Sequence, residues 1–227
     1  MKLKFVGACL SAVLMGVGLA ACAPLMFGGV IGGAMVASDR RTTGIQMEDE
    51  SIEQRASSAM RENFGTKEHI SITSYNRQVL ITGEVSTDLA KGHVEQLVRK
   101  IENVRGVINE LAVGPASSSS DRTNDALLVA KVKAAMVDTE DVFANVYKVV
   151  AERGTVYLMG RVTQREAQRA TEVVRGVSGV KRVVRVFDYL SEDELRAMQP
   201  KRKEEPVKAN GSSTAPAANS PVVTPIR

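Results

Sequence analysis

The chain has 227 residues, 44% of them hydrophobic and 25% charged, with a formal net charge of +4 and a pI of about 9.1. Two cysteines exclude a disulfide framework, so stability must come from ordinary apolar cores, and the length suits one or two small domains. With only 4% aromatic residues, the basic balance is a weak argument for nucleic acid.

Met1 to Lys4 is basic, Phe5 to Ala21 is apolar and small, and the run ends in Leu19-Ala20-Ala21-Cys22. That order predicts a secretory signal over residues 1–21. The last four residues have the lipobox pattern, in which the cysteine sulfur takes a diacylglycerol and becomes the new N-terminus. Cys22 is therefore the expected lipidation site, and Ala23 in place of aspartate points to the outer membrane, periplasmic face. Cys9 falls within the removed signal, which leaves the mature chain without a free thiol. Apolar character continues to Ala37 but is interrupted by Pro24, Gly28, Gly29, Gly32 and Gly33. The Gly-xxx-Gly spacings there can mediate helix contacts in a membrane; a flexible tether over residues 22–45 is the simpler expectation.

The middle of the chain repeats. Gln78-Val-Leu-Ile-Thr-Gly-Glu-Val85 matches Thr155-Val-Tyr-Leu-Met-Gly-Arg-Val162 at an offset of 77. Asp49, Ile52, Ala59 and Met60 match Asp125, Leu128, Ala135 and Met136 at an offset of 76. Val104, Gly106, Val107, Leu111 and Val113 match Val177, Gly179, Val180, Val184 and Val186 at an offset of 73, which predicts a second helix one turn shorter in the second copy.

Each copy reads as helix, strand, strand, helix, strand. The first helices are expected to start at acidic caps, Asp49 and Asp125, with core stripes Ile52, Ala56, Ala59, Met60 and Leu128, Val132, Ala135, Met136. Hairpins follow over 70–85 and 146–162, turning at Asn76-Arg77 and Arg153-Gly154. Gly83 and Gly160 lie on the core face of their strands, where a missing side chain allows close approach. Second helices are expected from Thr87 to Asn103, with stripe Leu89, Ala90, Val94, Leu97, Ile101, and from Gln164 to Gly176. Last strands are expected over 108–113 and 181–189. The predicted fold class is α+β: two tandem αββαβ units over 46–114 and 122–192, each a small mixed three-stranded sheet with two helices on one face. Residues 115–121, with four serines, are the expected linker, and 193–227 a disordered tail, basic at Lys201-Arg202-Lys203.

The x-Val-x-Leu-x-Gly-x-Val strand (Gln78 to Val85, Thr155 to Val162), the helix after it, and Val177-Ser-Gly-Val-Lys-Arg-Val183 resemble the BON domain. The resemblance extends from about residue 38 to 190, including Thr43-Gly-Ile-Gln46, Asn124-Asp125 and Arg165-Glu166-Ala167. Tandem BON units behind a lipobox are similar to outer-membrane lipoproteins with two such domains. The resemblance implies anionic-phospholipid binding, a role in outer-membrane integrity at division sites, and contact with the outer-membrane protein assembly machinery. It also implies a lipid-contacting aromatic on the first helix of the second unit, where this chain has Leu127.

The two copies differ in charge. Residues 46–114 hold 11 acids and 8 Lys/Arg, whereas 121–192 hold 10 acids and 12 Lys/Arg, so the second copy is the better candidate for an anionic surface. The outward face of its first helix presents Leu127, Ala130, Lys133, Ala134 and Val137, with Lys131 at the edge. The matching residues of the first copy, Ser51, Gln54, Ser57, Ser58 and Arg61, are polar. Apolar residues beside lysines suit an interfacial helix that reads anionic headgroups such as phosphatidylglycerol or cardiolipin. The alternatives are packing of this face against the first copy and a solvated face. Arg161, Arg165 and Arg169, with Lys181, Arg182 and Arg185, form a second basic group that extends the footprint or is merely solvated.

No catalytic residue, metal site or cofactor is expected. His69 and His93 lack ligand-spaced partners along the sequence and read as structural or surface residues. A non-catalytic phospholipid-binding lipoprotein is the leading expectation. An adaptor held only by its lipid anchor, docking onto envelope machinery without reading lipid, is the alternative; a cell-wall or amidase-regulating role, reached indirectly, is a third.

Overall fold

The computed structural model describes residues 39–198. The signal, Cys22, the glycine-rich segment to residue 38 and the basic tail root at 201–203 lie outside the described residues. The first unit contains α1 (Thr43–Phe64), β1 (His69–Tyr75), β2 (Gln78–Val85), α2 (Asp88–Arg99), β3 (Gly106–Asn109) and β4 (Ala112–Val113). The second contains α3 (Ser119–Val137), a 3₁₀ turn (Ala144–Val146), β5 (Tyr147–Glu152), β6 (Thr155–Val162), α4 (Gln164–Arg175) and β7 (Arg182–Tyr189). A short α5 (Glu192–Met198) follows. In each sheet the hairpin is antiparallel and the last strand joins parallel to the central one.

The central strands alternate as a two-sided sheet requires. Val79, Ile81 and Val85 join Ile52, Ala56, Val94, Val98 and Leu111 in one core. Val156, Leu158 and Val162 join Leu128, Val132, Met136, Ala167, Ala170 and Val174 in another. The opposite faces meet each other. Tyr75 and Leu80 of the first sheet pack with Tyr157, Met159 and Val186 of the second in a third, inter-domain core. The order of layers is helices, sheet, sheet, helices. Fully burying each of these valines or leucines is worth about 1.5–3 kcal/mol.

The domains contact each other with approximate two-fold symmetry. The Tyr75 hydroxyl donates to the Val146 carbonyl at 3.4 Å, and at the equivalent pair of positions His69 Nδ1 lies 4.0 Å from Glu152 Oε1. Polar cross-links surround the apolar centre: Lys148 Nζ reaches Glu53 at 2.7 Å, Asn76 Nδ2 donates to Asp188 at 2.6 Å, and Arg182 donates to Glu110 at 2.8 Å.

Several expectations are corrected. The first helices start six residues earlier than their acids, capped by Thr42 and by Ser118 in a capping box with Asp121. Residues 119–121 therefore belong to a helix rather than to the linker, and residues 43–45 to a helix rather than to the tether. Asp49 and Asp125 sit inside the helices, 1% and 8% exposed, and hold the hairpin turns. Asp49 accepts from the amides of Asn76 (2.8 Å) and Arg77 (2.7 Å); Asp125 accepts from those of Arg153 (2.7 Å) and Gly154 (2.9 Å). All four turn residues have positive φ, as a type I′ hairpin demands, and their amides turn toward the carboxylate.

The second helices are both 12 residues long, so the one-turn difference is wrong. Backbone equivalence runs at an offset of 76 from Thr87/Thr163 onward, with Ser86 the single extra residue. The positive-φ position is Asn103 (65°) in the first copy and Gly179 (101°) in the second. Matching Gly106 to Gly179 by identity displaced the register by three. Asn is the non-glycine residue that best tolerates that conformation. Leu89 is no core residue either: it is 87% exposed at the start of α2.

The last strand is continuous in the second domain and broken in the first. Asn109 Nδ2 donates to the Lys91 carbonyl at 3.0 Å, its Oδ1 accepts from the Leu111 amide, and Lys91 Nζ donates to the Leu111 carbonyl at 2.7 Å. These side-chain bonds replace ladder bonds at the break. Finally, the tail begins with structure: Ser191 and Glu194 cap α5, which buries Leu195.

Candidate functional site

Helix α3 buries Leu128, Val132 and Met136, which leaves the opposite face outward. Leu127 is 57% exposed and Val137 69%, and Ala130, Lys131, Lys133 and Ala134 are exposed as well. At 3.6 residues per turn, Leu127, Ala130, Ala134 and Val137 form one stripe, with Lys131 and Lys133 roughly 80° to either side. The domains meet through their sheets, so this face does not pack against the first domain. Solvated apolar side chains between two cations suit the boundary between acyl chains and anionic headgroups.

At the N-terminal half of α3 the stripe adjoins an open groove of about 530 Å³, to which Leu127, Lys131, Arg153 and Lys181 contribute. Three cations from a helix, a hairpin turn and a strand approach thus converge beside an exposed leucine. Lys181 stands over the Arg153-Gly154 turn, its amide donating to the Gly154 carbonyl at 2.8 Å. Asp121 and Asp125, also at the groove, are engaged by the Ser118 cap and the hairpin turn. The sequence places Arg153 and Lys181 28 residues apart; only the parallel pairing of β6 with β7 joins them.

The second basic group is more dispersed. Arg161 lies on the sheet, 3.2 Å from Asp188, and Arg165 on α4 lies 3.7 Å from Glu192. Arg169 is exposed. The first domain's matching helix face is not wholly polar, because Met47 is 66% exposed and shares a shallow groove with Ser51, Gln54, Ser57 and Arg61. His93 stacks at a tilt on Phe64, ring centroids 5.5 Å apart. His69 does have partners: Glu84 and Glu152 approach its Nδ1.

Residues read as tether turn out to be structural. Arg40 donates to both Glu166 oxygens, at 2.8 and 2.7 Å, and to the Arg161 carbonyl at 2.9 Å. Arg41 pairs with Asp49 at 2.8 Å, and its guanidinium lies 4.1 Å from the Tyr75 ring centroid. Adjacent arginines thus engage both domains. Burial disfavours ionised Glu166, but Arg40 and the Thr163 amide overcome it and hold the carboxyl below its ordinary range. Glu152 goes the other way: burial, with Glu84 nearby, raises it despite His69.

Among the described residues no helix is long and apolar enough to cross a membrane. The BON domain family matches residues 48–115 and again 124–190. The chain is 37% identical over 183 residues to "Outer membrane lipoprotein DolP" of Haemophilus influenzae, covering 79% of this chain and 95% of that protein. It is 30% identical over 154 residues to a "21 kDa hemolysin" of Actinobacillus pleuropneumoniae, covering 67% and 79% respectively. A solved structure of CdsD, a structural protein of the type III secretion system of Chlamydia trachomatis, aligns at 12% identity and a TM-score of 0.26 over 65% of this chain and 97% of its own; that likeness carries no argument. Two matches to one family, on the two units that the repeat and the topology define, place this chain in the BON-domain family as an outer-membrane lipoprotein with two BON domains.

Proposed function

We propose that the protein is a non-catalytic phospholipid reader, held in the outer membrane by lipids on Cys22, whose second BON domain engages anionic headgroups through α3. The observation that carries this reading is the exposed Leu127–Val137 stripe between Lys131 and Lys133, continuous with the groove of Lys131, Arg153 and Lys181. Leu127, Ala130, Ala134 and Val137 enter the acyl boundary while the cations meet phosphates. Phosphatidylglycerol and cardiolipin are the headgroups of suitable charge. Support of outer-membrane integrity at division sites, and contact with the assembly machinery, belong to the same proposal through the resemblance to two-BON lipoproteins.

The test is co-sedimentation of residues 38–227, which retain all three cores but lack the anchor, with phosphatidylglycerol or phosphatidylethanolamine vesicles. Binding to the anionic vesicles alone, abolished in Leu127→Glu, is expected. No binding to either vesicle would overturn the lipid-reader reading in favour of the adaptor.

A further inference from the structure

We propose that His69, Glu84 and Glu152 bind one divalent transition-metal ion, zinc by the character of the donors, at the seam between the two BON domains. One donor atom from each of the three residues lies within 4.8 Å of the others. His69 Nδ1 is 3.0 Å from Glu84 Oε2 and 4.0 Å from Glu152 Oε1.

The independent observation is an unmet demand for positive charge. Glu84 is 1% exposed and its Oε1 has no hydrogen-bond partner. The nearest cation to that oxygen is Arg153 Nε, at 3.9 Å. Glu152 Oε1, 4.0 Å from the same imidazole nitrogen, is also buried without a partner. The remaining Glu84 oxygen accepts from the Ser117 amide at 2.9 Å, and Ser117 Oγ lies 3.3 Å from His69 Nδ1. Buried carboxylates are normally paired or bound to a metal. Here one buried and one half-buried carboxylate face one imidazole nitrogen, and a dication would answer all three groups.

The repeat supplies a comparison within the same molecule. At the symmetry-equivalent end of the seam, the positions of His69, Glu84 and Glu152 hold Val146, Arg161 and Tyr75. There the Tyr75 ring is 3% exposed and its hydroxyl closes on the Val146 carbonyl, so a ring fills the gap, and the charged group at that end is a cation, Arg161, 3.2 Å from Asp188. Only the His69 end carries two carboxylates without a filling ring. Backbone shape holds the histidine in place. Gly83 has φ +112°, and a Cβ there would lie 2.0 Å from the His69 carbonyl oxygen, so the start of β1 crosses where a side chain would be.

An imidazole with two carboxylates suits zinc rather than magnesium or calcium, which take oxygen donors. Zinc bonds these atoms at about 2.0–2.2 Å, so neighbouring donors stand roughly 3.3 Å apart. The His69–Glu84 spacing of 3.0 Å is already close to that, and the His69–Glu152 spacing of 4.0 Å requires Glu152 to close in by about 0.7 Å on binding. Three protein ligands leave a fourth position for water. Because His69 and Glu84 come from one domain and Glu152 from the other, the bound ion would clip the domains together.

The experiment uses the tag-free, full-length mature lipoprotein in detergent micelles, stripped with chelator and titrated with zinc chloride by calorimetry. One zinc per chain is expected, retained in tenfold excess magnesium. Affinity should fall at least tenfold in Glu152→Gln and in His69→Asn and stay unchanged in His93→Gln, with cooperative thermal unfolding as the check on folding. In the wild type, nitrogen NMR should show zinc shifting the ring of His69 and not that of His93, a readout that needs no variant. Absence of zinc binding, binding equal in Glu152→Gln and wild type, or a zinc-insensitive His69 ring would each overturn the site.

Discussion

Arg40 and Glu166 form a bidentate ion pair at 2.7–2.8 Å, 9% and 4% exposed, in which a residue preceding α1 grips the cap of α4 in the other domain. Glu166 also closes the capping box with Thr163, so one carboxylate holds both a helix start and the incoming chain. Arg40→Ala leaves that carboxylate buried with only the Thr163 cap. A cost of about 3–5 kcal/mol is expected, and calorimetric unfolding should show a midpoint lower by roughly 6–20 °C. An unchanged midpoint would show that the segment is dispensable.

The same pair sets an acid limit. Glu166 has a folded pKa below its ordinary 4.5, so its contribution is complete above 4.5 and is lost as pH falls through the lower folded value. Urea denaturation from pH 7 down to pH 3 should show stability declining below about pH 4.5. Glu166→Gln should be less stable at neutral pH and decline less steeply over the acid range.

The hairpin clasps are testable one amide at a time. Asp125→Ala removes the acceptor for Arg153 and Gly154, and a loss of about 2–3 kcal/mol is expected from stranding two inward-turned amides. Hydrogen exchange should accelerate first at those two residues. Asp49→Ala should cost more, because Asp49 also accepts from Ser74 and Arg41.

The two copies predict each other's tolerance at the left-handed position. Gly179→Asn places in the second domain the residue that the first uses at Asn103; with Leu128 Cδ1 3.3 Å from the added Cβ it should cost about 1–2 kcal/mol. A β-branched residue such as valine at 179 should cost more. Equal losses for the two would refute the equivalence of Asn103 and Gly179.

For the lipid face, each basic residue near an anionic surface contributes about 1 kcal/mol. The Lys131→Ala, Lys133→Ala double variant should therefore bind phosphatidylglycerol vesicles roughly 30-fold more weakly, and high salt should narrow the difference by screening. Lys181→Ala should weaken binding by about fivefold if the groove seats a headgroup.

By itself the sequence determined the architecture. Apolar residues on one strand face at Val79, Ile81, Val85 and at Val156, Leu158, Val162, helical stripes such as Ile52–Met60, and the repetition of both define two α+β units before any contact is known. It also singled out the exposed stripe of α3, because the first copy's residues at the same positions are polar. What it could not supply was every feature made of groups distant along the chain. Asp49 and Asp125 look like helix caps because each is an acid standing just before an apolar stripe; their work is done on amides 27–29 residues away. Arg40 and Arg41 look like tether because their partners lie in folded domains. The convergence of Lys181 with Arg153, and of His69 with Glu84 and Glu152, depends on strand pairing and on which sheet faces meet. Local periodicity reports which side of an element is apolar; only packing decides which buried charges find one another.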